Sequence, residues 1–262
     1  MVQTVWKLTR ILELFSTEEP EWGVSKVGRT LGIPKSTAFE LMNSLVDQRF
    51  LQRTGKGRYR LGWRLFEFSQ SLLDITRCRS QASEIMWQLV ETWGETSHLA
   101  VLDGVEAVYI EKLRPVRAVE TLPSPPIGAR LPAHCTGPGK VLLAYQEWDT
   151  IACLLELEGM SALTPNTIIA LERLAYELEG IRECGYGYED EEVSAGLSCV
   201  AAPIYDTRNT VIAAVSLSVP PFGLRNGNNR YTASVLEAAR RISTSAGRTT
   251  ETYSERKKLQ RA

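Results

Sequence analysis

The stretch 24–60 constrains this chain more than any other, because two short apolar periodicities are separated there by a glycine and followed at once by a basic hairpin. Val24, Val27 and Leu31 recur at the spacing that places side chains on one face of a short helix. Gly32 is expected to stop that helix, since glycine enters the left-handed turn region without steric penalty. Pro34 is set for a first helical turn, and Ala38, Leu41, Met42 and Leu45 supply a second apolar face. Two short helices joined through such a turn are the sequence form of a helix-turn-helix. After Phe50 the pattern changes to a strand pair around Gly55-Lys56-Gly57, crowded by Arg53, Lys56, Arg58 and Arg60. Leu51, Tyr59 and Leu61 are expected to pack its inner face, which leaves the cationic groups outward as a wing.

Charge supports a polyanion as partner for this end of the chain. The net charge is −1, yet residues 1–79 carry 13 basic against 8 acidic groups and the remainder 17 against 23. The excess of positive charge therefore coincides with the helix-turn-helix. In the second helix of the pair, Lys35, Ser36, Thr37, Phe39, Glu40 and Asn43 point away from the apolar face. Hydroxyls and a lysine at a helix N-terminus suit phosphate, because free N–H groups and the helix dipole already favour anions there. Phe39 suits a thymine methyl and Glu40 a cytosine amino group. Arg53, Lys56 and Arg58 of the wing suit phosphate or minor groove, with an affinity that falls as salt rises. Double-stranded DNA is the expected partner.

The remaining periodicities describe an α+β chain. A bracing helix is expected at 4–16, with Val5, Leu8, Ile11, Leu12 and Phe15 on its inner face. A helix at 63–78, with Leu65, Phe68, Leu72 and Ile75 along one side, would join two domains and pair with its copy in a second subunit. Another helix at 82–93 leads into strands at 97–102 and 105–113, joined by Asp103-Gly104, a strong hairpin signal. A third strand at 118–122, helices at 139–147, 149–157 and 167–184, strands at 198–204 and 210–219, and a helix at 228–246 complete an antiparallel-sheet domain. The expected division is 1–62 for DNA binding, 63–79 as a linker helix, 80–250 for a second domain and 251–262 as a frayed basic tail.

Several functional classes fit poorly. The five cysteines, Cys78, Cys135, Cys153, Cys184 and Cys199, are odd in number and dispersed, which suits free thiols in a reducing cytoplasm. No run approaches the roughly 20 apolar residues of a spanning helix, so no membrane association is expected. Gly137-Pro138-Gly139-Lys140 lacks the earlier glycine and the following hydroxyl of a phosphate loop. His134-Cys135 provides too few ligands for zinc, and no cofactor is expected. A nucleophile drawn from Cys135 or Cys199 with His98 or His134 lacks any catalytic signature, so the chain is expected not to be an enzyme. Two alternatives stay open: a small-molecule sensor acting through protein contacts, and a cysteine-dependent enzyme.

Four segments in order carry a resemblance. They are Leu31-Gly32-Ile33-Pro34-Lys35-Ser36-Thr37; Gly57-Arg58-Tyr59-Arg60-Leu61-Gly62; Leu131-Pro132-Ala133-His134 with Gly139-Lys140 and Leu143-Ala144; and Gly185-Tyr186-Gly187-Tyr188 with Glu191-Glu192, running on to Cys199-Val200-Ala201-Ala202-Pro203-Ile204. Together they resemble the isocitrate-lyase-regulator (IclR) family of bacterial transcription factors over nearly the whole chain. The resemblance implies a winged helix-turn-helix, a linker helix and a GAF-like effector-binding domain, assembled as homodimers that pair into tetramers, and a repressor. It also implies, by motif position, an effector cup formed by Cys199, Ser216 and Ser218, with Glu189 near one rim and His134, Gly137 and Pro138 beside it. The residues themselves add that Ser216 and Ser218, two apart in a strand, share one face among apolar neighbours. An aromatic acid, a short carboxylate or a lactone would suit such a cup. Glu40 departs from the basic residue often found there in the family, which sets its operator preference apart.

Overall fold

The computed structural model describes residues 2–75, 78–115, 124–221 and 229–259. They group into two compact units, Met1–Ile75 and Thr76–Ala262.

In the first unit α1 (Gln3–Leu12) is followed by a two-residue strand β1 (Trp22–Gly23), α2 (Val24–Leu31) and α3 (Lys35–Asp47). Strands β2 (Leu51–Arg53) and β3 (Arg58–Leu61) form the wing, and α4 (Arg64–Ile75) closes the unit. Ile11, Val27, Ala38, Met42 and Leu45 bury against one another and against Trp22, Leu51 and Tyr59, so helical and strand periodicities meet in one core. Gly32 takes up left-handed geometry at φ 65°, and the Ile33 N–H returns to the Gly28 carbonyl at 2.9 Å, closing α2 as the sequence requires. Pro34 stands immediately before α3 rather than inside its first turn.

Three expectations are corrected in this unit. The first helix stops at Leu12, not 16, and Val5 is 59% exposed instead of packed inward; Leu14 and Phe15 still reach the core from the turn that follows. Leu61, the last residue of β3, is exposed although its register partner Leu51 is buried. The third strand of the wing sheet was not foreseen: β1 pairs with β3 through Trp22 and Tyr59, and two residues are too few to show an alternation. Arg64 ties α4 to this unit, donating to the Gln48 carbonyl at 2.9 Å and lying against the rings of Phe50 and Phe68.

The second unit is a six-stranded antiparallel sheet covered on both faces. Its elements are α5 (Cys78–Trp93), β4 (Thr96–Asp103), β5 (Glu106–Leu113), β6 (Arg130–Pro132), α6 (Gly137–Ala144), α7 (Trp148–Glu158), α8 (Leu171–Cys184), β7 (Gly187–Asp190), β8 (Ser198–Tyr205), β9 (Val211–Val219) and α9 (Asn229–Leu259). The strand order is β6-β5-β4-β9-β8-β7. Alternation sorts the side chains: Leu99, Val200, Ala202, Val215 and Leu217 face α5 and α9, while Ala100, Ala107, Ala201 and Ala214 face α6, α7 and α8. Small residues on that second face let α6 lie close, and all eight residues of α6 are buried.

The strand expected at 118–122 lies outside the described residues. β6 and β7 were not foreseen, because three and four residues beside glycine or proline carry little periodicity. α8 begins at Leu171 instead of 167, since Thr167 is spent on a turn in which its hydroxyl accepts from the N–H groups of Leu163 and Thr164. α9 extends to Leu259, through most of the stretch expected as a frayed tail. Among the described residues no helix is long and apolar enough to cross a membrane.

Candidate functional site

The first unit presents α3 beside the wing. Lys35, Ser36, Phe39 and Glu40 are exposed and Thr37 is half-buried. No side chain caps the start of α3, so the N–H groups of its first turn remain available to an anion. Arg53, Lys56 and Arg58 are exposed on the wing, whose tip turns through Lys56 and Gly57 in left-handed geometry. A surface depression brings Lys26 and Arg29 of α2 together with Lys35 and Arg58, rimmed by Glu19 and Glu21. Sequence reasoning passed over Lys26 and Arg29; their signal was a position outside the apolar face of α2. Asn43 is engaged within the protein: its Oδ1 accepts from Arg53 Nη2 at 2.8 Å and from the Tyr59 hydroxyl at 3.2 Å.

The second unit holds a cavity of ≈ 270 Å³ between the sheet face that carries α6 and the segment leading to β6. Gly137, Pro138, Glu189, Cys199, Ser216 and Ser218 all line it. Cross-strand register explains the gathering, since Cys199 lies opposite Ser218, Ala201 opposite Ser216, and Glu189 opposite Cys199. Glycine at 137 lets α6 start close against β8, since a Cβ there would stand 3.1 Å from Cys199 Sγ and press it aside. His134 is placed elsewhere: its buried ring meets the Ser161 carbonyl at 3.3 Å and is not part of the cavity wall. It sits in the turn before α6, where the chain's direction aims it away. His98, Tyr109, Ser124, Leu131, Thr136 and Leu197 also line the cavity and were missed. The hairpin register that sets Ala100 against Tyr109 carried part of that information.

Burial governs the electrostatics here. It pushes the Glu189 carboxyl up to about 7, against the N–H groups of Val193 and Glu192 that pull it down. It also pushes the thiols of Cys135 and Cys199 up to about 12, so both stay protonated. Ser216 Oγ is buried beside its diagonal neighbour Cys199, and that contact pulls the thiol down against the larger effect of burial. Beneath Glu189 lies a charged cluster. Lys140, 1% exposed, donates to Glu192 Oε1 at 2.6 Å and Glu177 Oε1 at 2.9 Å, and the Glu192 N–H donates to Glu189 Oε1 at 2.6 Å.

Known proteins share both units. Residues 4–55 match the model of the IclR helix-turn-helix domain, and residues 70–244 match that of the bacterial transcriptional regulator IclR C-terminal region. The HTH-type transcriptional regulator XynR of Escherichia coli is 35% identical over 83% of this chain and 86% of its own length. The transcriptional repressor IclR of E. coli is 29% identical over 94% and 90% respectively. Among solved structures, an IclR homolog from Microbacterium hydrocarbonoxydans complexed with 4-hydroxybenzoate superposes with a TM-score of 0.80 at 28% identity, covering 93% of this chain and 98% of that one.

Proposed function

Since the chain belongs to the IclR family of bacterial transcriptional regulators, it is a DNA-binding regulator with an effector-binding C-terminal domain, and we propose the following division of that work. Residues 1–62 grip the operator, 63–79 link, and 80–250 hold a small molecule that sets the strength of the grip. The observation that carries the reading is the exposed row Lys35, Ser36, Phe39 and Glu40 beside the outward Arg53, Lys56 and Arg58. A helix with an uncapped N-terminus next to a cationic wing can enter a major groove while the wing holds phosphate.

By likeness to the repressor IclR, we assign repression, exerted in the cytoplasm where operator DNA lies. The polar groups of the cavity are the receiving points for the effector, and the neighbour that carries 4-hydroxybenzoate supports a ligand of that dimension. The protonated thiols of Cys135 and Cys199 weigh against a cysteine nucleophile. A homodimer, paired further into a tetramer, is supported by apolar side chains left open on the first unit: Val2, Val5 and Trp6 at α1, Trp63 just before α4, and Phe66 on it. For the effector to act, it must bind two quaternary arrangements with different affinity.

Fluorescence anisotropy with DNA from upstream of the chain's own gene tests the reading. Binding should weaken by orders of magnitude between about 50 and 200 mM salt. Failure to bind such DNA in a salt-dependent manner would remove it.

A further inference from the structure

Three elements of the first unit converge on one surface depression: the start of α2, the start of α3 and the tip of the wing. Lys26 and Arg29, Lys35, and Arg58 supply four cationic side chains there, and Val24 and Ser25 bring in the first turn of α2, which no side chain caps. The start of α3 is likewise uncapped, so free N–H groups and both helix dipoles add to the positive field. Arg29, Lys35 and Arg58 are exposed, and none of the three side chains makes a hydrogen bond or ion pair to another described residue. Cations and unengaged N–H groups gathered in a hollow are what a backbone phosphate requires.

Lys26 differs from the other three. Its ammonium pairs with the Glu19 carboxylate and lies 4.2 Å from the centre of the Trp22 ring, which is buried in the core of the unit. Glu19 is delivered by the tight turn after α1, where its N–H donates to Ser16 Oγ at 3.1 Å and its carbonyl accepts from the Ser16 N–H at 3.3 Å. Both side chains of the pair are nearly half exposed, at 47% and 42%, so the pair adds little to stability and can be exchanged for another partner. Its consequence falls on binding instead. A phosphate entering the depression meets a lysine whose charge is already compensated, with a carboxylate of the phosphate's own sign beside it. Glu19 thus does to Lys26 what a phosphate would. Glu21 also lines the depression but pairs with none of its cations.

We propose that this depression seats a backbone phosphate of the operator and that Glu19 is its built-in competitor, setting operator affinity below what the four cations would give. The proposal rests on the winged unit as the DNA-binding end of the chain. Fluorescence anisotropy of the full chain on duplex DNA from upstream of its own gene, at salt between about 50 and 200 mM, tests it. Glu19→Gln keeps the size of the side chain and the backbone bonds to Ser16. It should bind about five- to ten-fold tighter and steepen the slope of log affinity against log salt by about one, since Lys26 is released to neutralise a phosphate. Lys26→Met should bind about five-fold or more weaker, and Glu19→Gln combined with Lys26→Met should return to within about three-fold of wild type, because the two charges then leave together. Glu13→Gln removes the same charge from the Arg10–Glu13 pair, comparably exposed at 52% and 51% but outside the depression. That variant should change affinity by less than about two-fold. A Glu19→Gln protein that binds no tighter than wild type, or a Glu13→Gln protein that gains as much, overturns the proposal and leaves the winged unit standing as the DNA-binding end. Wild-type protein that does not bind the duplex removes that reading as well.

Discussion

Asn43 on α3 and Arg53 on β2 are joined by a 2.8 Å hydrogen bond, so α3 and the wing beside it share a side-chain link. The Tyr59 hydroxyl adds a second donor to the same Asn43 oxygen at 3.2 Å. Asn43 therefore has its acceptor occupied, and only its amide N–H groups are left to read a base edge. α3 and the wing are held as one piece.

Removing that link should weaken operator binding cooperatively. Asn43→Ala and Arg53→Ala are each expected to reduce affinity about ten-fold, and the double variant should lose less than the two added together, with a coupling of roughly 0.5–3 kcal/mol. A double-mutant cycle on operator affinity measures it. Losses that add to within about 0.3 kcal/mol would mean the bond does not couple the elements.

Phosphate contacts and base contacts separate by their salt dependence. Lys56→Ala and Arg58→Ala should each lower the slope of log affinity against log salt by about one while weakening all sequences alike. Glu40→Gln should instead change which operator is preferred and leave the slope nearly unaltered. Binding isotherms at four salt concentrations on two operator sequences read both effects, and an unchanged slope for Arg58→Ala would place the wing away from phosphate.

The winged unit was legible because its signals are local. Gly32, Pro34 and the apolar sets around Val27 and Met42 act within a few residues, and the basic hairpin follows directly. The cavity was legible only in part. Ser216 and Ser218 declared a shared face, but nothing in the chain's order says that His98 stands opposite Ser216 across β4 and β9, or that Tyr109 completes the wall. Those contacts are set by sheet register, which sequence shows only where a hairpin is tight. His134 shows the converse: a motif position marks a neighbourhood, while the turn before α6 decides where the ring points.

The open apolar side chains of the first unit predict self-association. Trp63 and Phe66 are 70% and 56% exposed and contact each other edge to face. Replacing both by serine should shift sedimentation towards the monomer and weaken binding to a two-half-site operator by about 100-fold or more, with a much smaller loss on a single half-site. Equal losses on both operators would point to damage within the winged unit instead.

Glu189 gives the protein a pH-dependent stability whose sign follows from its raised pKa. The group is held at about 7, above the ordinary 4.5 of a glutamate, so the stability it contributes is complete below about 4.5 and is lost as pH rises through 7. The full difference is roughly 3 kcal/mol. The groups around it are Lys140 and Glu192 below, Cys135, Cys199 and Tyr109, which burial keeps protonated, and His98, which stays neutral above about 3. Glu192 is itself raised by burial, but it is common to both proteins in a comparison with Glu189→Gln. The variant should therefore melt higher than wild type at pH 8 and lose that advantage at pH 5. A constant difference between the two melting curves across this range would contradict the assignment.

Lys140 is the residue on which the inside of the second unit depends electrostatically. Its ammonium, 1% exposed, lies between Glu192, 8% exposed, and Glu177, 37% exposed. Taking away one partner of a buried pair strands the other, which typically costs about 3–5 kcal/mol, whereas replacing both with apolar groups of similar size is often neutral. Lys140→Met should accordingly destabilise the chain by about that amount in urea, mainly through Glu192, because Glu177 can turn to solvent. Lys140→Met combined with Glu192→Leu should recover most of the loss, since Glu189 is held through the backbone N–H of residue 192, which the substitution retains. A single variant within about 1 kcal/mol of wild type would show that water reaches the cluster and that the pair is not sealed as its burial implies.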